Sequence, residues 1–345
     1  MNFSRVRAIT ARKFSSIRRD HRMFAFIILM PAIQILLFGF AIGQDPSGLD
    51  IITIGEHPVF TELEDSEDLV VHVASDLDWA ITEVESGRAW AVIVADEGNL
   101  TLHLDASNQQ VMQKIVSEVR TALEDAAPSA LPITLAKPIH GQQDPAFINF
   151  LAPGIMVLVC FMFSMILTAM AFVGERNDGT LDRVFAAGVK PLEVLLGHLS
   201  AFSVVVIGQV SVVIFIAVTV FDIPVEGSLL TLFAMGLLLG WAAMCIGLLI
   251  SSKAKSEFQA LQLVMPILFP ALLLSGILWP VEALPIGLYE FSQLLPTTWA
   301  AESFRSIMMR GWGLSDPLIW QSFLIIGVFG IIALIAAAKS LRVRS

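Results

Sequence analysis

Six apolar stretches dominate the sequence, at residues 23–43, 147–173, 195–221, 229–250, 258–279 and 318–338. A bilayer hydrocarbon core about 30 Å thick is crossed by about 20 apolar residues in a helix, and each stretch is long enough. None carries Lys or Arg at its centre, where one charge costs about 2.5–3.5 kcal/mol on insertion scales. In lipid, every backbone polar group has to be satisfied inside the chain, which favours helices for such runs. Only 15% of the 345 residues are charged, against about 25% in soluble domains. The expectation is an α-helical polytopic membrane protein with six transmembrane helices.

The charges set a topology. Residues 1–22 hold seven Lys/Arg against Asp20 alone, whereas residues 44–146 hold 19 acidic residues against Arg88, Lys114, Arg120 and Lys137. Basic residues near span ends mark the inner face. The amino-terminus is therefore expected inside, 44–146 outside, and the loops with Arg176, Arg183, Lys190, Lys253 and Lys255 inside. The tail 339–345 is expected inside as well, while Arg305 and Arg310 fall outside against the rule. This asymmetry is a membrane signal, not a nucleic-acid one. Residues 23–43 exceed the usual h-region of about 7–15 residues, so the span is expected to be retained despite the small-residue run Ala41-Ile42-Gly43. Localisation in the cell membrane follows, multi-pass, with both termini cytoplasmic.

Before the first span, Phe3, Val6, Thr10, Phe14 and Ile17 recur at helical spacing, which predicts a basic amphipathic helix over 1–22 lying on the inner leaflet. The segment 44–146 reads as a small α/β extracytoplasmic domain between helices 1 and 2. Its expected strands are 51–55, 70–74, 90–95 and 100–104, with helices at 76–87 (capped by Asp76 or Asp78) and 109–125. Pro128, Pro132 and Pro138 predict an extended return to the membrane.

Chemistry-bearing motifs are sparse. Gly174 and Gly179-Thr180 have the spacing of a phosphate-binding loop but lack its lysine, so this chain is not expected to hydrolyse ATP. His57, His72, His103 and His140 share no ligand spacing, and no metal site is expected. Cys160 and Cys245 lie inside apolar runs and give no disulfide framework.

Two interruptions are informative. After the second span, Gly174-Glu175-Arg176-Asn177-Asp178-Gly179-Thr180-Leu181 runs on to Gly188 and Pro191. Gly179 is expected to break the helix and Thr180 to cap a short new one over about 181–187, ended by Pro191. After the fifth span, Gly276, Pro280, Pro285 and Pro296 interrupt an apolar run. Irregular backbone at membrane depth is tolerated only when buried in protein or lining a cavity, so 281–295 is expected to dip into the outer leaflet. A helix from Pro296 to Arg310 should follow, with Glu302 and Arg305 paired at i, i+3.

These features resemble the ABC-2 type exporter permeases. Glu175 followed by Gly179-Thr180, a short helix and Pro191 is similar to their coupling-helix signature, and the series Gly276, Pro280, Pro285, Pro296, Arg305, Gly311 is similar to their re-entrant segment. Asn177-Asp178 departs from the usual pair, and the connection 56–68 is short for the family. The resemblance implies a coupling segment at 175–191 in which Glu175, Gly179, Thr180, Leu181 and Val184 meet a separate ATPase subunit. It also implies a re-entrant segment at 280–311, a connecting helix at 1–22, and a second permease chain as partner, most simply an identical one. ATP and Mg would be bound by the ATPase partner, and no cofactor by this chain itself.

Polar side chains within spans usually face protein or a cavity. Gln34, Asn149, Gln209, Gln259 and Gln262 are the candidates for a cargo path, and each has an interhelical hydrogen bond as its simpler explanation. Gln259 and Gln262 share one face of the fifth span and rank first. With no charged pair in the spans, a hydrophobic or amphipathic cargo (a drug or lipid) suits better than an ion. A secondary transporter would need intramembrane ionisable groups and repeats. A receptor with an outside sensing domain would need a signalling domain inside. Neither is visible in the sequence.

Overall fold

The computed structural model describes residues 2–19, 21–42, 46–96, 99–105, 109–126 and 147–342. The expected return through Pro128, Pro132 and Pro138 lies outside these residues, as does His140. The chain divides into two compact units, Met1–Gly43 with His140–Ser345 and Gln44–Ile139.

The first unit opens with helix α1 (Phe3–Arg19) and helix α2 (His21–Ile42). The amphipathic helix forms, but its inner stripe differs from the expected one. Ile9, Lys13 and Ile17 are buried, while Phe3 and Phe14 are exposed. The cause is a local fit: Gly197 lacks a side chain where Ile9 sits, and a Cβ there would lie 2.6 Å from the Ile9 Cγ2. The described apolar part of α2 is the shorter stretch Ile28–Phe40.

The second unit is a mixed four-stranded sheet of β1 (Leu49–Ile54), β2 (Leu69–Ala74), β3 (Ala91–Asp96) and β4 (Asn99–Leu104), ordered β2-β1-β3-β4. Central β1 pairs in parallel with β2 and β3, and β4 closes antiparallel on β3. Helices α3 (Pro58–Glu64), α4 (Leu77–Glu85) and α5 (Gln109–Ala126) accompany it. Ile51, Ile93, Val59, Leu63, Ile115 and Val119 form one core; Ile52, Val92 and Ala80 form a second on the opposite face. Alternation along β1 feeds both, as expected of a strand covered on its two faces. Asp76 caps α4 by accepting from the Asp78 and Trp79 amides. Helix α3 is not among the expected helices, although Pro58 stands at its first turn and Val59, Phe60 and Leu63 are buried. Proline at that position is a helix-start signal.

Lys114 of α5 bonds both Asp68 (2.6 Å) and Glu118 (2.7 Å) with 15% of its side chain exposed. Burial alone depresses its ammonium, but the hydrogen bonds and charges of Asp68 and Glu118 outweigh that and raise it above its ordinary value. Stability from a raised lysine is fully present below the unfolded value of about 10.4 and is lost only as pH climbs through the folded one. Lys114→Met is therefore expected to cost about 1 kcal/mol. That cost should stay constant between pH 6 and pH 9, as read by denaturant titration of the unit's fluorescence.

The rest of the first unit is helical: α6 (Phe147–Asn177), α7 (Thr180–Ala186), α8 (Pro191–Thr219), α9 (Leu229–Lys253), α10 (Glu257–Leu274), α11 (Leu288–Ser292), α12 (Pro296–Arg310) and α13 (Pro317–Arg342), with a 3-10 turn at Val281–Ala283. Among the described residues, α6, α8, α9, α10 and α13 are long and apolar enough to cross a membrane. Helix α6 has 31 residues, about 46 Å at 1.5 Å per residue. Its carboxy-terminal half lies on α9 at Gly247, where a Cβ would meet the Met165 carbonyl oxygen at 2.5 Å. Helix α9 meets α13 where Gly330 makes room for Trp241. The expected fifth span ends early, with α10 stopping at Leu274 and Gly276 turning the chain at a φ of 71°.

Small residues let membrane helices approach closely when lipid supplies no hydrophobic drive between them. The obstacle at Gly247 is backbone and cannot rotate away. Gly247→Ala is expected to cost about 1–3 kcal/mol, seen as a lower Tm of the purified chain in detergent, and Gly247→Leu to abolish recovery of folded protein.

Candidate functional site

The connection between α6 and α8 carries the first site. Gly179 adopts the left-handed conformation (φ 67°, ψ 13°) and stands at the start of α7, a conformation that costs a residue with a side chain. Thr180 is the first residue of α7, and no side-chain cap bond forms, so the capping expected of its hydroxyl is absent. Leu181 is buried, Val184 half-buried, and Asp182 and Arg183 exposed. Gly188 (φ 75°) ends the short helix, and Pro191 starts α8 instead of closing α7. The result is a seven-residue helix whose outward face is charged and whose apolar side holds it to the bundle.

Glu175 occupies the end of α6 with its side chain 14% exposed. Its carboxylate accepts from Lys13, from Arg12 at 3.1 Å, and lies 2.9 Å from His198 Nε2. His198 of α8 is fully buried, its Nδ1 2.9 Å from the Val194 carbonyl and its ring edge-on to Phe172 at 5.1 Å. Lys13 also stands over the Phe202 ring. One carboxylate thus ties α1 to both α6 and α8. A second tie lies beside it, where Glu193 accepts from the Asn2 amide (2.6 Å) and the Lys190 amide (3.0 Å), with Arg5 donating to the Gly188 carbonyl at 2.5 Å. Arg176 donates to the carbonyls of Ser251 (2.9 Å) and Ala254 at the end of α9. The sequence displayed Glu175 and the basic residues of 1–22 but not this convergence. His198 gave no signal beyond standing at a span's edge.

The other end of α6 meets the interrupted segment. Pro280 precedes the 3-10 turn, Pro285 lies between that turn and α11, and Pro296 opens α12. Ser275 and Thr297 hydroxyls lie 2.5 Å apart, and Thr298 donates to the Ser292 carbonyl at 2.6 Å. The expected Glu302–Arg305 pair forms at 3.3 Å, and Arg305 also donates to the Gly276 carbonyl at 2.7 Å. Ile286, Leu288, Phe291 and Leu294 stay exposed, an apolar face suited to lipid.

The five polar span residues do not share an environment. Gln209 is buried and accepts from Ser164 at 3.4 Å, an interhelical bond between α8 and α6. Asn149 is buried and Gln34 half-buried. Gln259 accepts from the Lys255 amide at 2.6 Å near the start of α10, whereas Gln262, one turn on, is exposed.

A family model described as ABC-2 family transporter protein matches residues 21–339. The chain belongs to the ABC-2 transporter family. It is 29% identical to ABC transporter G family member 20 of Dictyostelium discoideum over 92% of this chain and 48% of that one. To member 23 of the same organism it is 29% identical over 96% of this chain and 52% of that one. It is 23% identical to the probable multidrug ABC transporter permease YbhR of Escherichia coli over 93% of each. The chain thus spans about half the length of the two G family relatives. This ABC-2 chain is a multi-pass membrane protein.

Glu175→Gln removes the charge that Lys13 and His198 face in a buried site. Leaving buried charges without their partner costs about 3–5 kcal/mol, lowered here to about 2 because Arg12 and Glu175 reach solvent. Faster tryptic cleavage within α1 of the membrane-embedded variant is expected, with cleavage elsewhere unchanged.

Proposed function

We propose that the chain is the transmembrane permease subunit of an ATP-driven exporter, moving a hydrophobic or amphipathic substrate out of the cytoplasm or inner leaflet. ATP and Mg are bound by an ATPase subunit, and two permease chains, most simply identical, enclose the path. The observation that carries this reading is α7: a short helix with exposed Asp182 and Arg183, fixed through Leu181 to the bundle and set between α6 and α8. Such a helix passes a push from a partner to two long helices at once, a rigid-body transition biased by ligand binding elsewhere.

In this reading α2 is the first of six crossings, both termini and the segment 175–191 are cytoplasmic, and 44–146 is extracytoplasmic. Residues 1–22 form the connecting helix, the spans run from 23–43 and through 147–338, 280–311 is the re-entrant segment, and 339–345 is the tail. Glu175 contributes by holding α1 beside α7, and Gly179, Thr180, Leu181 and Val184 shape the contact itself. Gln262 is the cargo-path residue with a free side chain, whereas Gln259 is held by the Lys255 amide and Gln209 by Ser164. The match over 93% of the E. coli permease's own length supports the permease reading. The word multidrug in that relative's name favours amphipathic cargo.

Co-purification with candidate ATPases tests the proposal. Asp182→Lys combined with Arg183→Glu reverses the exposed charges of α7 while leaving Leu181 in place. This variant is expected to lose the ATPase and keep the Tm of the parent. An ATPase retained at parental stoichiometry rules out α7 as the contact.

A further inference from the structure

The guanidinium of Arg305 gathers three separate elements. Its Nη2 donates to the Gly276 carbonyl at 2.7 Å, its Nη1 to Glu302 at 3.3 Å, and its plane covers the Phe150 ring at 4.4 Å from the centroid. The Gly276 carbonyl lies just beyond the last turn of α10, where helix carbonyls lack intrahelical partners. Arg305, reaching over from α12, supplies the missing donor. Next along the chain, Ile277 is 1% exposed and packs on α6, where a Cβ at Gly154 would stand 2.7 Å from the Ile277 carbonyl oxygen. Glu302 is held in turn by Arg310 at 3.2 Å, and Arg310 stacks on Trp312 at 4.9 Å. The latch is incompletely satisfied: the Arg305 Nε is buried with no acceptor among the described residues. An unsatisfied buried donor is costly, which keeps this arrangement from being an inert, optimised core.

From this geometry we infer that Arg305 is a positioning residue of the transport cycle. It latches the bend 276–278 onto α6 and α12, so that movement of α6 carries the interrupted segment with it. The inference rests on the transporter reading above for its role, though not for its geometry. Helix α6 is continuous and free of proline from Gly154 to Glu175, with Pro153 on the far side of Gly154, so a tilt imposed beside α7 reaches the bend, which packs at Gly154, through one helix. Methionine fills similar space without donors. Lysine restores one bond to the Gly276 carbonyl but not, at the same time, the second N–H to Glu302 and the guanidinium over Phe150.

The test places Ile277→Cys in the full chain, in lipid nanodiscs, and follows its reaction with a water-soluble maleimide by mass spectrometry. The native, buried Cys245 reports on the fold. Arg305→Met is expected to raise labelling at position 277 roughly tenfold, as a local opening without global unfolding. Arg305→Lys and Phe150→Leu should raise it less, with Cys245 protected throughout. With the ATPase bound, ATP should change the rate at position 277 in the parent and in R305K but not in R305M. Equal labelling in R305M and the parent, or Cys245 labelled in step with position 277, overturns the latch. An ATP response surviving in R305M overturns the positioning role. The nucleotide-free arm needs neither ATPase nor cargo, so its failure is separable from failure of the transporter reading.

Discussion

The close approach of α6 to α9 is the constraint on which the helical unit depends. Lipid tails solvate leucine as well as another helix does, so apolar area gives little cohesion between spans, and backbone proximity has to supply it. Gly247 against the Met165 carbonyl does so directly. Gly240 does the same for three helices at once, with Val206 of α8 and Ser164 of α6 filling the space it leaves. Once α6 is clamped along its carboxy-terminal half, its two ends are held in place. Glu175 can then meet Lys13 and His198 at one end, and Phe150 can meet Arg305 at the other.

The two ends use polar groups differently. Around Glu175 one carboxylate faces the buried Lys13 and His198 and the more exposed Arg12. Such an arrangement is weak evidence for stability, because desolvation of the charges offsets much of their attraction. Its physical content is specificity: α1 has one docking position in which Lys13 is paired, and Ile9 over Gly197 fixes the same register by shape. Around Arg305 the acceptor is a main-chain carbonyl, so what is fixed there is the path of the chain after α10, not a helix face.

Lipid-length apolar runs were readable because they obey a single length rule, and the strands of the 44–139 unit because alternation and β-branching coincide in 51–54 and 91–94. Breaks at Gly179 and Gly276 were readable because only glycine takes positive φ freely. What a glycine permits was less legible than what it interrupts. Gly197 turned α1 so that Ile9, not Phe3 or Phe14, faces inward, and nothing in residues 1–22 encodes a cavity on a helix nearly two hundred positions away. The convergence on Glu175 was hidden for the same reason: Lys13, Glu175 and His198 are remote in sequence and ordinary one by one. The Glu302–Arg305 pair was legible because it is local. Its third partner, the Gly276 carbonyl, was not, since backbone acceptors carry no sequence signature.

Helix α10 shows how the same rules create a polar feature where the sequence displays an apolar one. Pro266 and Pro270 stand inside it, and each removes the N–H that would serve the carbonyl four residues earlier. The carbonyls of Gln262 and Pro266 therefore lose their usual donors one turn apart. Gln262 adds an exposed amide, and Phe258 and Phe269 are exposed on the same helix. In hydrocarbon an unserved carbonyl is costly, so this stretch is poorly suited to lipid alone. Gln259, spent on the Lys255 amide, has no such freedom. The polar character of α10 therefore depends less on its two glutamines as a pair than on one of them together with two prolines.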